Sequence, residues 1–164
     1  MPDALKGEIA ALVPRLRRFA YALCGSREDG DDLVQTACLK AISRLDQFEL
    51  GTRLDSWMFR IVQTTFLDER RRSSRRGVND PEAVDRLSDG GVGARSSEDR
   101  MTLERVREAI AELPDEQRAV VVLVAIEGYS YKEAAAVLET PVGTVMSRLS
   151  RARARLLPLV REET

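Results

Sequence analysis

Apolar residues recur at three- and four-residue steps from Ala4 to Leu23, through Leu5, Ile9, Leu12, Leu16, Phe19 and Leu23. That is the period of a helix with one buried face. Pro14 is placed to kink this helix or to divide it. Gly25 and Ser26 interrupt the pattern. A second helix is expected from Asp31 to Phe48, with Leu33, Ala37, Ala41, Ile42 and Leu45 facing inward. Asp29, Asp31 and Asp32 suit the positive end of its dipole. A loop at Leu50, Gly51 and Thr52 precedes a third helix, Leu54 to Arg72, which carries Trp57, Phe59, Ile61, Val62, Phe66 and Leu67.

Residues 77–100 are rich in Gly, Ser and Asp and lack apolar periodicity, so they are expected to be a flexible linker. The helical period resumes through Met101, Val106, Ile110 and Leu113, stops at Pro114, and returns from Ala119 to Ile126 before Gly128. Val120 to Val124 has strand propensity, but no convincing alternation accompanies it.

The next segment has a different layout. Ser130 is placed to cap a short helix running through Leu138; Thr140, Pro141 and Gly143 read as a turn, and a longer helix follows. This is the outline of a helix-turn-helix, whose first helix braces the second and whose second enters the major groove. On the second helix Val145, Leu149 and Leu156 share one face, while Ser147, Arg148, Arg151 and Arg155 share another. The expected fold is therefore all-α, with two small helical domains, 1–76 and 101–164, joined by the linker 77–100. The second domain contains the helix-turn-helix.

Composition narrows the chemistry. With 43% hydrophobic and 32% charged residues, the 164-residue chain has the make-up of a soluble protein with a core. It has no apolar run long enough to span a membrane and no signal-peptide pattern at its N-terminus, so no membrane insertion and a cytoplasmic location are expected. It has no histidine at all. That removes His-dependent metal sites, Ser-His-Asp triads and Cys-His dyads, and no cofactor or metal is expected. Cys24 and Cys38 lie in apolar-periodic stretches and are read as packing residues.

Charge adds a partner. The net charge is only -1, but Arg70, Arg71, Arg72, Arg75 and Arg76 form one basic block, and Arg148, Arg151, Arg153 and Arg155 form another. Two separated basic patches suit two contacts with a polyanion. The arginine fork can bind a guanine edge bidentately or pair with phosphate, and serine can hydrogen-bond to either. Ser147, Arg148 and Arg151 lie in the first half of their helix and suit base reading, while Arg153 and Arg155 suit phosphate. A charge run alone is more often a solvated helix face; the preceding helix and turn favour DNA.

Residues 141–153, Pro-Val-Gly-Thr-Val-Met-Ser-Arg-Leu-Ser-Arg-Ala-Arg, resemble the promoter-reading helix of the extracytoplasmic-function sigma factors, nearly residue for residue. Residues 128–135 resemble that family's supporting helix, and Leu113-Pro114 with Gln117-Arg118 resemble the start of the same domain. Asp31-Asp32-Leu33-Val34-Gln35 and Ser56-Trp57-Met58-Phe59-Arg60-Ile61 resemble its second conserved region in order and spacing.

The resemblance implies a non-enzymatic sigma factor that brings core RNA polymerase to promoter DNA in a stress response, restrained by an anti-sigma factor. It implies minus-35 contacts from Ser130, Tyr131, Thr144, Ser147, Arg148, Arg151, Arg153 and Arg155. It implies minus-10 contacts from Phe48, Leu50, Gly51, Thr52 and Arg53, with Trp57 and a basic track at Arg70, Arg71 and Arg72. Trp57 has a competing reading as a core residue, the commoner fate of a lone tryptophan on an apolar helix face. Asp31, Asp32 and Gln35 are the implied polymerase contacts, and the two acids would in any case favour a helix N-terminus. Glu139 stands where the family usually has glycine, so strain is expected at that turn. The competing function is a sigma-like decoy that sequesters an anti-sigma factor without binding DNA. The intact arginines argue against it, as does the absence of the alternating strands and helices of a phosphoreceiver domain.

Overall fold

A computed structural model describes residues 2–75 and 97–161, and every element among them is helical. Helix α1 spans Pro2–Cys24 and continues through Pro14. Pro14 and Ala10 are both exposed, so the carbonyl that loses its N–H partner there can be hydrated. Gly25 stops the helix: its φ of 70° turns its N–H back onto the Tyr21 carbonyl at 2.8 Å, a left-handed conformation that glycine adopts without a Cβ penalty.

Ser26 caps α2, Arg27–Ser43, by accepting the Asp29 N–H on its Oγ at 3.3 Å. The helix thus begins at Arg27 rather than Asp31, and a short 3-10 turn at Leu45–Gln47 replaces its expected last turn. A Cβ at Gly30 would run into the Tyr21 ring, so glycine permits the close crossing of α1 and α2. Leu33, Ala37 and Ala41 are buried as expected, and Val34 joins them. Ile42 is not: one residue beyond Ala41 is about 100° further round the helix, which turns it to solvent.

Helix α3, Leu54–Arg75, buries Met58, Phe59, Ile61, Val62 and Thr65. Phe59 meets Phe19 edge-to-face, with centroids 5.4 Å apart. Helix α4 spans Ser97–Ala111, so residues 97–100 of the expected linker are helical, while 77–96 lie outside the described residues. Helix α5, Asp115–Val121, runs into a π-helical turn at Val122–Ile126. Helices α6, Tyr131–Leu138, and α7, Val142–Arg161, complete the order. Helix α5 lies against α1 and α7, and α6 against α3 and α7, so buried residues of both halves form one continuous core.

Candidate nucleic-acid and polymerase interfaces

The helix-turn-helix is built from local signals. Ser130 Oγ accepts the Glu133 N–H at 3.0 Å, and the Glu133 carboxylate accepts the Ser130 N–H at 2.9 Å, a reciprocal capping box. At the other end of α6, Glu139 adopts φ 52°, ψ 43°, the only non-glycine with positive φ among the described residues. The expected strain is there. Helix α7 starts at Val142, so Gly143 belongs to its first turn and not to the connection.

Val145, Leu149 and Ala152 pack inward from α7. Ser147, Arg151, Arg153 and Arg155 face solvent, and the Ser147 hydroxyl donates to the Thr144 carbonyl at 3.1 Å. Arg148 is different. Its side chain is only 22% exposed and lies 3.7 Å from Glu116 on α5. Thr144 is half-buried, and Tyr131 packs against the core. Of the minus-35 set, the solvent-facing members are Ser130, Ser147, Arg151, Arg153 and Arg155.

The minus-10 set is divided more sharply. Leu50 stands 73% exposed at the tip of its loop, beside exposed Gly51 and Thr52. The Thr52 hydroxyl donates to the Glu49 carbonyl at 2.6 Å. Phe48, by contrast, is buried against Trp57, with ring centroids 5.2 Å apart. Its ring packs beneath the loop and is not free to stack on a base here. Trp57 itself is half-buried against the core, in line with its competing reading. Arg70 pairs with Asp115 and lies over the Phe66 ring, Arg71 lies 3.9 Å from Asp68, and Arg72 is exposed.

On α2, Asp31, Asp32 and Gln35 are all exposed. Asp31 accepts a 2.5 Å hydrogen bond from the Tyr21 hydroxyl and lies 3.7 Å from Arg17. Leu39, 63% exposed, follows Gln35 by four residues on the same face, a spacing that periodicity alone discloses. Burial pushes the Cys24 thiol up to about 12, so it is protonated at neutral pH. Burial raises Cys38 as well.

The family model for Sigma-70 region 2 matches residues 9–76, and that for Sigma-70, region 4, matches residues 103–156. The ECF RNA polymerase sigma factor EcfG of Rhodopseudomonas palustris (strain TIE-1) is 37% identical over 163 residues, which cover 98% of this chain and 87% of that protein. The chain belongs to the ECF RNA polymerase sigma factors. Among solved structures, the complex of the sigma factor RpoE with the anti-sigma factor NepR from Bartonella quintana gives a TM-score of 0.79 at 31% identity, covering 97% of this chain and 98% of that one. The complex of CnrH with the cytosolic domain of CnrY gives 0.68 at 29% identity, covering 100% and 92%.

In this ECF sigma factor the two matched regions meet along a seam that sequence reasoning missed. Arg15 reaches Glu127 at 2.6 Å and Asp55 at 3.0 Å. Arg53, a minus-10 candidate, pairs with Asp55 and Glu133 and lies 4.5 Å over the Tyr129 ring. Arg60 reaches the Ala136 carbonyl at 3.3 Å and Glu139 at 3.5 Å. Arg118 is buried among carbonyls: it donates to Ala22 and, at 3.3 Å, to Leu23 at the end of α1, and to Leu113 at 2.7 Å just beyond α4. A guanidinium there satisfies the orphan carbonyls of two helix ends and meets both dipoles favourably.

Tyr129 packs edge-to-face on Phe59, at 5.7 Å, and burial pushes its hydroxyl up to about 12. Burial would raise the Asp55 carboxyl, but hydrogen bonds from Arg53, Tyr129, Arg15 and the Ser56 N–H outweigh it and hold the group well below the usual carboxylate range. These residues are charged or polar, and their contacts across the seam join positions far apart in the chain. No local period marks them.

Proposed function

We propose that this sigma factor directs core RNA polymerase to a particular set of promoters and does no chemistry of its own. The exposed arginine face of α7, braced by a capped α6, carries the reading. In it, Ser147, Arg148 and Arg151 read the minus-35 duplex while Arg153 and Arg155 neutralise phosphate, with Ser130, Tyr131 and Thr144 alongside. Leu50, Gly51, Thr52 and Arg53 meet the minus-10 strand, Phe48 and Trp57 hold their loop, and Arg70, Arg71 and Arg72 follow the backbone. Asp31, Asp32 and Gln35, extended by Leu39, form the polymerase contact. Residues 1–76 and 101–164 act as separable domains on polymerase, and 77–100 links them.

The protein acts in the cytoplasm, and among the described residues no helix is long and apolar enough to cross a membrane. Its restraint comes from an anti-sigma factor in a stress response. The overall structure supports that reading, because the sigma factor RpoE of Bartonella quintana, to which it is similar, is in complex with the anti-sigma factor NepR.

In vitro transcription from a genomic promoter library with core RNA polymerase tests the proposal. Transcript starts that share two upstream elements, lost in an Arg148→Ala, Arg151→Ala variant, are the expected result. If the folded wild-type protein yields no dependent starts with active core enzyme, the decoy reading takes its place.

A further inference from the structure

The seam has a polarity. Three of its ion pairs place an arginine of α3, or of the loop before it, against a carboxylate of the second half: Arg53 with Glu133, Arg60 with Glu139 and Arg70 with Asp115. The arginine side chains are 50–61% exposed in these pairs, so solvent and solutes reach them. The Arg15 pair differs, because the side chain of its partner Glu127 is only 3% exposed. Exposed pairs are individually weak and easily exchanged. A carboxylate offered to a guanidinium presents nearly what a phosphodiester presents: two anionic oxygens within reach of a planar donor fork.

We propose that Glu133, Glu139 and Asp115 act as an internal phosphate mimic, so that the second half of this sigma factor and a single-stranded nucleic acid compete for Arg53, Arg60 and Arg70. The inference rests on the reading of Arg53 and Arg70 as strand contacts, and it adds Arg60 to that track. In the closed protein each guanidinium is already neutralised. A strand must first displace the carboxylates, so stray single strands bind weakly. Moving α5 and α6 away from α3 frees Arg60 and Arg70 and leaves Arg53 with only Asp55, at its own end of α3. Closure and strand binding thereby exclude one another without any change inside the α1–α3 bundle.

Salt dependence separates this from a general charge effect. A strand that meets free arginines releases one counterion set per phosphate, with a log–log slope of about -0.7 for each contact on single-stranded nucleic acid. A strand that must displace carboxylates gains less, because those carboxylates take up cations as they are freed.

The test uses the full chain and a labelled single-stranded oligonucleotide of mixed sequence, with binding followed by fluorescence anisotropy across a KCl series. Glu133→Gln with Glu139→Gln keeps the α6 cap, since glutamine also closes a capping box. Glu8→Gln with Asp46→Asn removes the same charge at exposed positions outside the seam. The seam variant is expected to bind about threefold more tightly than wild type, the combined effect of two exposed pairs of a few tenths of a kcal/mol each, and to show a steeper salt slope by about 1. Its radius of gyration by small-angle scattering is expected to rise, and the control variant should do neither. Adding Arg53→Gln should cost more affinity in the seam variant than in wild type, where that arginine is occupied.

Equal gains by the seam and control variants, or an affinity gain with unchanged dimensions and slope, would overturn the inference. Promoter-dependent transcription by wild type would then still uphold the sigma reading. Failure of that transcription would remove the sigma reading itself, whatever the anisotropy shows.

Discussion

The interior of the α1–α3 bundle and the seam it shares with the second half are made of opposite materials. Leu16, Phe19, Leu33, Met58, Phe59 and Val62 fill the bundle with no exposed side-chain surface. A few residues away, Arg15 lies 5.5 Å over the ring of the same Phe59, and the contacts become arginine, carboxylate and carbonyl. Apolar burial is indifferent to pH and nearly so to salt, whereas paired charges respond to both. The bundle is therefore unconditional, and the seam can be opened by the surroundings. A protein that must be held in one state and act in another needs both properties side by side.

The largest effect is expected where the bundle alone is broken. Phe19→Ala removes a fully buried ring and its edge-to-face contact with Phe59, at a cost of about 3–5 kcal/mol. Chemical denaturation followed by Trp57 fluorescence would measure it. The loss should be the same at low and high salt, and a strongly salt-dependent loss would contradict the contrast drawn above.

Arg118→Met comes next. Methionine fills much of the same space but leaves the carbonyls of Ala22, Leu23 and Leu113 without their donor. At about 1–3 kcal/mol for each unsatisfied buried group, partly relieved by water, a loss of about 2–4 kcal/mol is expected. Because Arg118 joins α5 to the end of α1, the loss should also uncouple the halves. Trp57 fluorescence, which reports on α3, and far-ultraviolet circular dichroism, which reports on all helices, should cease to coincide. Coincident transitions in the variant would show that Arg118 is only an internal prop of the second half.

These two residues also mark what was legible in the sequence. Phe19 stands on a three- and four-residue period, so its burial could be read directly. Ser130 as the cap of α6 and the inward stripe of α7 are legible for the same reason, since both signals repeat within one or two turns. A period extended one residue past Ala41 misplaces Ile42, and glycine beside proline suggests a turn at Gly143 although the turn's unusual conformation sits at Glu139. Arg118 gave no such signal, because its partners at Ala22 and Leu23 are 96 and 95 residues away. A buried arginine is indistinguishable in sequence from a solvated one. The same holds for Arg53, whose pairing with Glu133 could not be inferred from its loop.

Acidification should act first at the edge of the seam, where Asp55 holds Arg15 and Arg53, and only later on the apolar bundle. Asp55 has a folded pKa held below its unfolded value, so its contribution is fully present above the usual carboxylate range and is lost as pH falls through the folded pKa. The melting temperature should accordingly be flat near neutrality and fall below about pH 4. Asp55→Asn removes the charge that Arg15 and Arg53 share, and should cost about 1–3 kcal/mol at pH 7 while flattening the acid limb. Melting curves from pH 7 to pH 3 would decide. An unchanged acid limb in the variant would assign the acid sensitivity to other carboxylates.

The smallest effect has the opposite sign. Glu139 holds a left-handed conformation that costs a non-glycine residue about 1 kcal/mol, and its carboxylate lies 3.5 Å from Arg60 across the seam. Both side chains are more than half exposed or nearly so, so that pair contributes at most a few tenths of a kcal/mol. Glu139→Gly relieves the strain and gives up the pair. Glycine's larger unfolded-state entropy offsets part of the gain. A net stabilisation of about 0.5 kcal/mol is expected, or roughly 1–2 °C in melting temperature for a chain of this size. Strand binding should strengthen slightly as Arg60 is freed. Stabilisation without that gain would mean Arg60 is held by the Ala136 carbonyl alone, and destabilisation would mean the seam pair outweighs the strain of the turn it grips.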